Sequence, residues 1–254
     1  LAHPRRVRRT VTAPVFLSPL TVGVGERLRL DGAEGRHAAL VRRLTVGEAV
    51  VVTNGLGRRH AGIVAAVGKD VVDVDVQEVL DVPAPSPRLV VVQAIPKGDR
   101  GELAVELLTE VGVDEIVPWS AERCVTQWRG DKIAKATEKW RATARESTKQ
   151  SRRSWAPVVS DLASTREVCA RLAAAGLALV LHESATEPLS SLDVPGDGEV
   201  VLVIGPEGSL SEAELQAFVQ AGATVRRMGD SVMRTSTAGA VAASVISART
   251  RRWG

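Results

Sequence analysis

The segment Val200–Ser211, VVLVIGPEGSLS, is the strongest candidate for a ligand-binding loop. Its apolar run predicts a buried strand that ends in Gly205-Pro206-Glu207-Gly208, before a helix that Ser211 and Glu214 are spaced to cap. Glycine lets the backbone approach a ligand closely, and proline stiffens the turn. The spacing matches neither a phosphate-binding P-loop nor a dinucleotide-binding loop. An ordinary strand-to-helix turn is an equally good interpretation of this segment taken alone.

Two further segments place polar side chains at the predicted ends of strands. Gly229–Gly239, GDSVMRTSTAG, sets Arg234 among hydroxyl residues just before an alanine-rich helix, where a polar ligand finds donors. Leu181–Ser184 adds His182 and a glutamate. Simple helix capping and a structural histidine are the alternatives for these two segments. Because the loops that follow parallel strands meet at one edge of a sheet, the three segments together predict a single crevice.

From residue 88 onward, apolar runs alternate with helical patterns, and glycines punctuate them. This order predicts a parallel sheet with helices on both faces. The predicted strands are Leu89–Ile95, Glu115–Trp119, Leu177–Leu181, Glu199–Ile204 and Thr224–Met228. The predicted helices are Gly101–Val111, Asp131–Gln150, Ser164–Ala175, Ser211–Ala221 and Thr237–Arg249.

The first eighty residues have a different pattern, of short valine-rich segments separated by Gly, Asp and Asn. Val71–Val76 alternates apolar and polar residues, as a half-buried antiparallel strand does, and Asn54-Gly55 marks a hairpin turn. We therefore expect a small β-barrel, followed by a linker in the proline-rich stretch Asp81–Pro87. The predicted strands are Arg27–Leu30, Ala49–Thr53, Ala61–Val67 and Val71–Val79.

The composition, 44% hydrophobic and 25% charged, is that of a globular protein with a substantial core. No apolar run approaches the roughly 20 residues that span a bilayer. The basic N-terminal sequence lacks the apolar region of a secretory signal, so we expect a cytoplasmic location. Cys124, Cys169 and the four scattered histidines do not have metal-ligand spacing, and we expect reduced thiols and no metal.

Positive charge is concentrated in one part of the chain. Between residues 129 and 153, nine Lys and Arg residues stand against three acidic ones, a net charge of +6 in a chain whose total is +3. Such a concentration favours a polyanionic partner, and a solvated helix face without a ligand is the alternative. The residues at helical spacing, which predict one basic face, are Arg141, Arg145, Lys149 and Arg152.

Together these segments resemble the 16S rRNA (uracil-N3) methyltransferase family of the SPOUT superfamily. The resemblance runs nearly end to end, and its last three motifs are specific in their order and spacing. The matching motifs are Arg36-His37, Val41-Arg42-Arg43-Leu44, Pro96-Lys97-Gly98-Asp99-Arg100, Glu110-Val111-Gly112-Val113, Ala121-Glu122-Arg123-Cys124, Gln150-Ser151-Arg152-Arg153, Leu181-His182-Glu183, Ile204-Gly205-Pro206-Glu207-Gly208 and Met233-Arg234-Thr235-Ser236-Thr237-Ala238.

The chain departs from the family pattern at three places. Ser209 stands where the family usually has glycine, and Ser236 where it usually has glutamate, which puts a carboxylate role at that position in doubt. Lys149-Gln150-Ser151-Arg152-Arg153 stands for Glu-Gln-Ser-Gly-Arg, and the added positive charge fits tighter phosphate contact.

The resemblance implies an α/β fold: a SPOUT-type parallel sheet with a deep C-terminal trefoil knot in residues 88–254, preceded by a small PUA-like RNA-binding β-barrel in residues 1–82. It also implies a homodimer, S-adenosyl-L-methionine as the cofactor, and 16S rRNA, within the small ribosomal subunit, as the partner. The product would be a uridine methylated at N3.

The candidate site residues follow from the motifs and the resemblance. For catalysis they are Arg234, which would stabilise the uracil anion, and Glu207, which would accept a proton, hold the cofactor or brace its turn. For the cofactor they are Leu181, His182, Glu183, Ile204, Gly205, Pro206, Glu207, Gly208, Met228, Gly229, Met233, Arg234, Thr235, Thr237 and Ala238. For RNA they are Arg42, Arg43, Lys97, Arg123, Arg141, Arg145, Lys149, Arg152 and Arg153.

Two other functions fit the same motifs. One is a SPOUT ribose 2′-O-methyltransferase, and the other is a non-catalytic RNA-binding ribosome-assembly factor, which the serine at position 236 motivates. A small-molecule α/β enzyme is the weakest alternative, because it leaves the barrel and the basic segment unexplained.

Overall fold

The computed structural model describes residues 13–253. The basic N-terminal sequence and the start of the predicted domain 1–82 lie outside these residues. The chain divides into two compact units. The N-terminal unit contains the residues up to Pro83 and also Arg152–Trp155, and the C-terminal unit contains the rest. The first division falls inside the predicted linker, whereas the return of Arg152–Trp155 to the N-terminal unit was not predicted.

The N-terminal unit is a five-stranded sheet. Its strands are β1 (Val15–Leu17), β2 (Arg27–Leu30), β3 (Ala49–Thr53), β4 (Arg58–Val67) and β5 (Val72–Asp81), and helix α1 (Gly32–Arg36) continues into a π-helical turn. The strand order is β1-β3-β4-β5-β2, with β1 parallel to β3 and every other pair antiparallel. The predicted barrel is thus a mixed sheet whose edge strands β1 and β2 do not pair with each other within residues 13–253.

Alternation along the strands builds the core of this unit. Val72, Val74 and Val76 of β5 are all buried, as the predicted pattern requires, and Leu28 and Leu30 of β2 face the same core. At about 25 cal/mol per Å² of apolar surface, burial of this kind supplies the main stabilising contribution.

The segment Arg152–Trp155 completes the N-terminal unit. The Trp155 Nε1–H donates to the carbonyl oxygens of Val82 and Pro83 at 2.9 and 3.1 Å. Gly57 has a φ of +98°, and a Cβ at this position would lie 2.7 Å from the Trp155 ring. Glycine is therefore required here by both the backbone conformation and the packing.

The C-terminal unit is a six-stranded parallel sheet. The strands are β6 (Arg88–Ala94), β7 (Glu115–Trp119), β8 (Val158–Val159), β9 (Leu177–Leu181), β10 (Glu199–Ile204) and β11 (Thr224–Arg226). The helices are α2 (Arg100–Glu110), α3 (Lys132–Gln150), α4 (Thr165–Ala174), α5 (Glu212–Gln220) and α6 (Thr235–Ala248). Their order in the sheet is β11-β9-β10-β6-β7-β8.

Helices cover both faces of this sheet, as predicted. Leu89 and Val91 of β6 face a core that includes Trp140 of α3 and Ile246 of α6. Val90 and the other β6 residues that alternate with Leu89 and Val91 face the opposite core, which contains residues of α4 and α5. Because side chains alternate along a strand, a continuous apolar run serves both cores, and the sheet is buried on both sides.

Candidate functional site

Three loops meet in one cavity at the carboxyl edge of the parallel sheet. They follow β9, β10 and β11, which are neighbours in the sheet. The cavity has a volume of about 550 Å³, within the range of small-molecule sites. It is lined by Leu181, His182, Glu183, Ile204, Gly205, Pro206, Glu207, Ser209, Leu210, Arg227, Met228, Gly229, Asp230, Ser231, Val232, Met233, Arg234, Thr235 and Ala238. The predicted crevice is therefore present.

All of the predicted cofactor residues line this cavity except Gly208 and Thr237. The Thr237 hydroxyl instead donates to the Arg234 carbonyl oxygen at 3.2 Å. A Cβ at Gly208 would lie 3.0 Å from the backbone oxygen of Arg123, so this glycine allows a close approach of two loops. The sequence interpretation missed Ser209, Leu210, Arg227 and 230–232, which lie in the same loops; treating each loop as a whole would have included them.

The loop after β10 is held by the loops that follow β6 and β7. The Arg123 guanidinium donates to the Leu210 carbonyl oxygen at 3.2 Å and lies 3.5 Å from that of Gly208. The Lys97 backbone N–H donates to the Glu207 carboxylate at 3.1 Å. These contacts fix the loop's backbone before any ligand binds. The predicted cap of α5 is confirmed, since Ser211 and Glu214 form a capping box.

Arg234 combines a fixed backbone with a free side chain. It is the residue that precedes α6, with an extended conformation, and its carbonyl oxygen accepts the Thr237 and Ala238 N–H groups at 2.9 Å. Its exposed guanidinium lines the cavity and has no ion-pair partner within residues 13–253. The helix begins two residues earlier than predicted, so Thr235 and Ser236 are buried in its first turn.

The His182 ring lies between two serine hydroxyls. Its Nδ1 is 2.7 Å from Ser184 Oγ, and its Nε2 is 3.3 Å from Ser209 Oγ. The Ser209 hydroxyl also donates to Glu183 Oε1 at 3.0 Å. A bond from its own backbone N–H, and then the Ser209 hydroxyl, hold the pKa of Glu183 below its usual range. An ionised carboxylate therefore stands at the cavity wall.

The prediction that α3 presents one basic face is wrong in part. Lys149 is only 6% exposed and pairs with Glu146 at 2.8 Å, because its position faces the protein interior. Arg141 donates to the Val159 carbonyl oxygen and pairs with Asp161 at 2.8 Å. Arg152 lies beyond the end of the helix. Arg145 is therefore the residue of these four that lies within the helix and has a mostly exposed guanidinium, which pairs with Glu138.

The other predicted RNA contacts are exposed at separate places. In the N-terminal unit these are Arg42, Arg43 and Arg152, whereas Arg153 is half-buried and interacts with other residues. Lys97 is exposed in the C-terminal unit. Their assignment to RNA stays a prediction.

Cys124 is buried, Cys169 is half-buried, and both are free thiols. Across residues 13–253, no helix is both long enough and apolar enough to cross a bilayer. In the same part of the chain, no three His, Cys, Asp or Glu side chains are grouped as a metal site would need.

Comparison with known proteins agrees with the fold. Residues 83–247 match the RNA methyltransferase domain, and residues 30–77 match the RNA methyltransferase PUA domain. The structure of a methyltransferase from Legionella pneumophila, solved with bound S-adenosylmethionine, superposes with a TM-score of 0.85 at 29% identity, covering 94% of this chain and 99% of that one. These matches define the class as an RNA methyltransferase with a PUA domain.

Curated relatives narrow the class to a family. Ribosomal RNA small subunit methyltransferase E of Mycobacterium tuberculosis is 42% identical over 88% of this chain and 87% of its own length. The Bacillus subtilis protein of the same name is 28% identical over 87% of this chain and 90% of its own length. The chain therefore belongs to the ribosomal RNA small subunit methyltransferase E family.

Proposed function

We propose that this protein transfers a methyl group from S-adenosylmethionine to N3 of a uridine in 16S ribosomal RNA. The observation that carries the proposal is the convergence of three loops, from three neighbouring parallel strands, on one cavity of about 550 Å³. The names of the curated relatives support the RNA substrate, and the cofactor in the Legionella pneumophila structure supports the methyl donor.

The cavity fits the chemical groups of this cofactor. Leu181, Ile204 and Met228 offer apolar contact for a flat adenine ring, and each also packs against the core below the cavity. Glu183 places a carboxylate at the wall, which suits the ammonium and hydroxyl groups of the cofactor, and Asp230 adds a second carboxylate that pairs with Arg227 at 3.2 Å. A Cβ at Gly205 would lie 3.3 Å from the Leu210 side chain. A larger residue at this position would therefore narrow the cavity.

The bound cofactor supplies an activated methyl group on a sulfonium, and the protein must align N3 and remove its proton. Arg234 is placed to stabilise the anion that forms as N3 deprotonates, because its guanidinium lines the cavity and has no ion-pair partner within residues 13–253. Holding the reacting atoms in line lowers the barrier further, by up to about 7–11 kcal/mol for well-oriented reactions.

Glu207 is our candidate for the proton acceptor. One of its carboxylate oxygens accepts the Lys97 N–H, which fixes the direction of the side chain, and the carboxylate is exposed at the cavity. Glu207 can both hold its loop and accept a proton, because the Lys97 N–H binds only one of its two carboxylate oxygens.

Phosphate contacts from the exposed arginines and from Lys97 would hold the RNA without choosing its sequence.

We also propose that the protein works as a homodimer. Val232, 86% exposed, and its neighbour Met233 present apolar surface on a cavity loop that a second copy would cover.

Mass spectrometry of nucleosides tests the reaction. Small-subunit RNA from a strain that lacks the gene would be incubated with the purified protein and S-adenosylmethionine. We expect 3-methyluridine to appear. A ribose-methylated nucleoside would instead indicate a 2′-O-methyltransferase. No transfer, despite tight RNA binding, would indicate an assembly factor without catalysis.

A further inference from the structure

Ser209 adopts a backbone conformation that serine rarely takes. Its φ is +60°, and the other non-glycine residues with positive φ among residues 13–253 are Arg43 and Arg152. In this region the Cβ of an L-residue crowds the backbone, so glycine would be more stable here than serine. A serine at this position therefore costs stability relative to glycine.

The hydroxyl of Ser209 connects two of the three cavity loops. It belongs to the loop after β10, and it contacts both His182 and Glu183 of the loop after β9, at 3.3 and 3.0 Å. These two side chains and Ser209 itself all line the cavity. The connection therefore lies in the cavity wall.

The donors and acceptors of this cluster can be assigned in one consistent direction. A carboxylate only accepts, so the Ser209 O–H donates to Glu183, and the Ser209 oxygen is left to accept from His182 Nε2–H. The other ring nitrogen, Nδ1, then accepts from the hydroxyl of Ser184 at 2.7 Å and from its backbone N–H at 3.2 Å. The neutral ring thus carries its proton on Nε2.

We propose that Ser209 is a positioning residue for the cofactor, whose hydroxyl ties the loops after β9 and β10 together and fixes the directions of the His182 ring and the Glu183 carboxylate. The inference rests on the proposed cofactor-binding function of the cavity. Fixing these groups before binding lowers the entropy lost when the cofactor orders the loops.

The exposure of Glu183, unlike His182 whose side chain is 14% exposed, argues against a role of its hydrogen bond in stability alone. The Glu183 side chain is 60% exposed, and hydrogen bonds at such sites contribute little to folding because water competes for both partners. Positive φ at residue 209 adds a cost. We therefore expect serine at this position to lower the stability of the fold relative to glycine while it orders the cavity wall.

Two substitutions separate backbone strain from the hydroxyl. Ser209→Gly removes both, and we expect the Tm to rise by about 2 °C while the Kd for S-adenosylmethionine, measured by calorimetry, weakens about tenfold. Ser209→Ala removes the hydroxyl and keeps the strain, so the same loss of affinity should come without the gain in Tm. Ser191→Ala, which removes an exposed serine hydroxyl outside the cavity, is the matched control and should leave the Kd unchanged.

Nitrogen NMR of the His182 ring gives a readout that needs no cofactor. At mildly alkaline pH we expect the Nε2–H tautomer in the unaltered protein and a mixture of tautomers in both Ser209 variants. Unchanged affinity in the two variants, or affinity that only follows the Tm, would overturn the positioning role. An Nδ1–H ring in the unaltered protein would overturn the hydrogen-bond assignment on which it depends. Failure of the unaltered protein to bind the cofactor would instead refute the proposed function.

Discussion

Arg234 has a structural role through its backbone and a chemical role through its side chain. Its backbone begins α6 by accepting the Thr237 and Ala238 N–H groups, and its side chain takes no part in that cap. Substitution of the side chain therefore leaves the helix start in place. The chemical role can be tested without disturbing the fold.

We expect Arg234→Ala to lower kcat for RNA methylation about 100-fold, as the loss of a group that stabilises transition-state charge does elsewhere. Far-ultraviolet circular dichroism and the Kd for S-adenosylmethionine should stay close to those of the unaltered protein. Arg234→Lys, which retains the charge but not the planar fork, should recover part of the rate. Near-normal turnover in the alanine variant would remove Arg234 from the mechanism.

Glu115, at the start of β7, has a structural role and lies outside the cavity lining. Its buried carboxylate accepts two bonds from Arg171 at 2.6 Å, and further bonds from Ser160 and Arg88. Burial acts to raise its pKa, but the bonds from Arg171, Ser160 and Arg88 outweigh that effect and lower it. Glu115 therefore stabilises the fold above the pKa of the unfolded carboxyl, and the contribution disappears as the pH falls through the lower folded value.

We expect Glu115→Gln to destabilise the protein by about 2 kcal/mol at neutral pH, because the partly buried Arg171 would keep only Glu199, at 3.6 Å, as a charge partner. Urea unfolding measures the difference, which should shrink as the pH falls toward about 3. A difference that does not vary between neutral and acid pH would mean that packing, and not the charge of Glu115, is responsible.

Helix α3 shows why a charge count does not define a binding face. The residues predicted to form its basic face include Lys149, which is buried, and Arg141, whose guanidinium is bound by the Val159 carbonyl oxygen and by Asp161. Arg145 lies on the exposed side, where it pairs with Glu138. Such exposed pairs contribute little to stability, so this arginine can exchange its partner for a phosphate.

We expect Arg145→Glu to raise the apparent KM for RNA several-fold and to reduce the slope of binding against salt concentration by about one unit. Arg166→Glu on α4, which packs on the opposite face of the sheet, is the matched control. Equal effects of the two substitutions would show that the net charge of the protein, and not a docking face on α3, governs RNA binding.

Most elements of both units are predictable from local sequence because their signals are local. Alternation in β5, continuous apolar runs in β6 and β10, and the Ser211–Glu214 cap all identify their elements directly. The three residues of β1 are too few to form a pattern, and the strand was missed. The start of α6 was placed two residues late, since Thr235 and Ser236 have low helix propensity and are held there by burial.

The candidate site was predictable in outline and not in its internal contacts. Glycine and hydroxyl residues at strand ends identify the three loops, because such loops share one edge of a parallel sheet. The contacts of Arg123 with Gly208 and Leu210 join residues more than eighty positions apart, and no sequence spacing reveals them. The knot that the resemblance implies is also a property of chain threading, which periodicity does not encode.

The proposed homodimer can be tested through Val232 and Met233, the exposed apolar pair on the cavity loop. We expect light scattering to give twice the mass of the chain. Val232→Asp should shift that mass toward the monomer, because a charge at this position, 86% exposed in the single chain, would be tolerated by the monomer but would destabilise an interface. A monomeric unaltered protein contradicts the dimer. A dimer that survives the substitution places the interface elsewhere.

The return of Arg152–Trp155 to the N-terminal unit sets an order of events during synthesis. When the chain up to Pro83 has left the ribosome, the tryptophan whose N–H group donates to Val82 and Pro83 has not yet been made. The unit that comes first in the chain therefore completes its hydrogen bonds only after residue 155 emerges, with residues 84–151 already outside the exit tunnel. Domains usually fold in the order of their synthesis, and here the earlier unit must wait for its own last segment, which is made after residues 84–151 of the later unit.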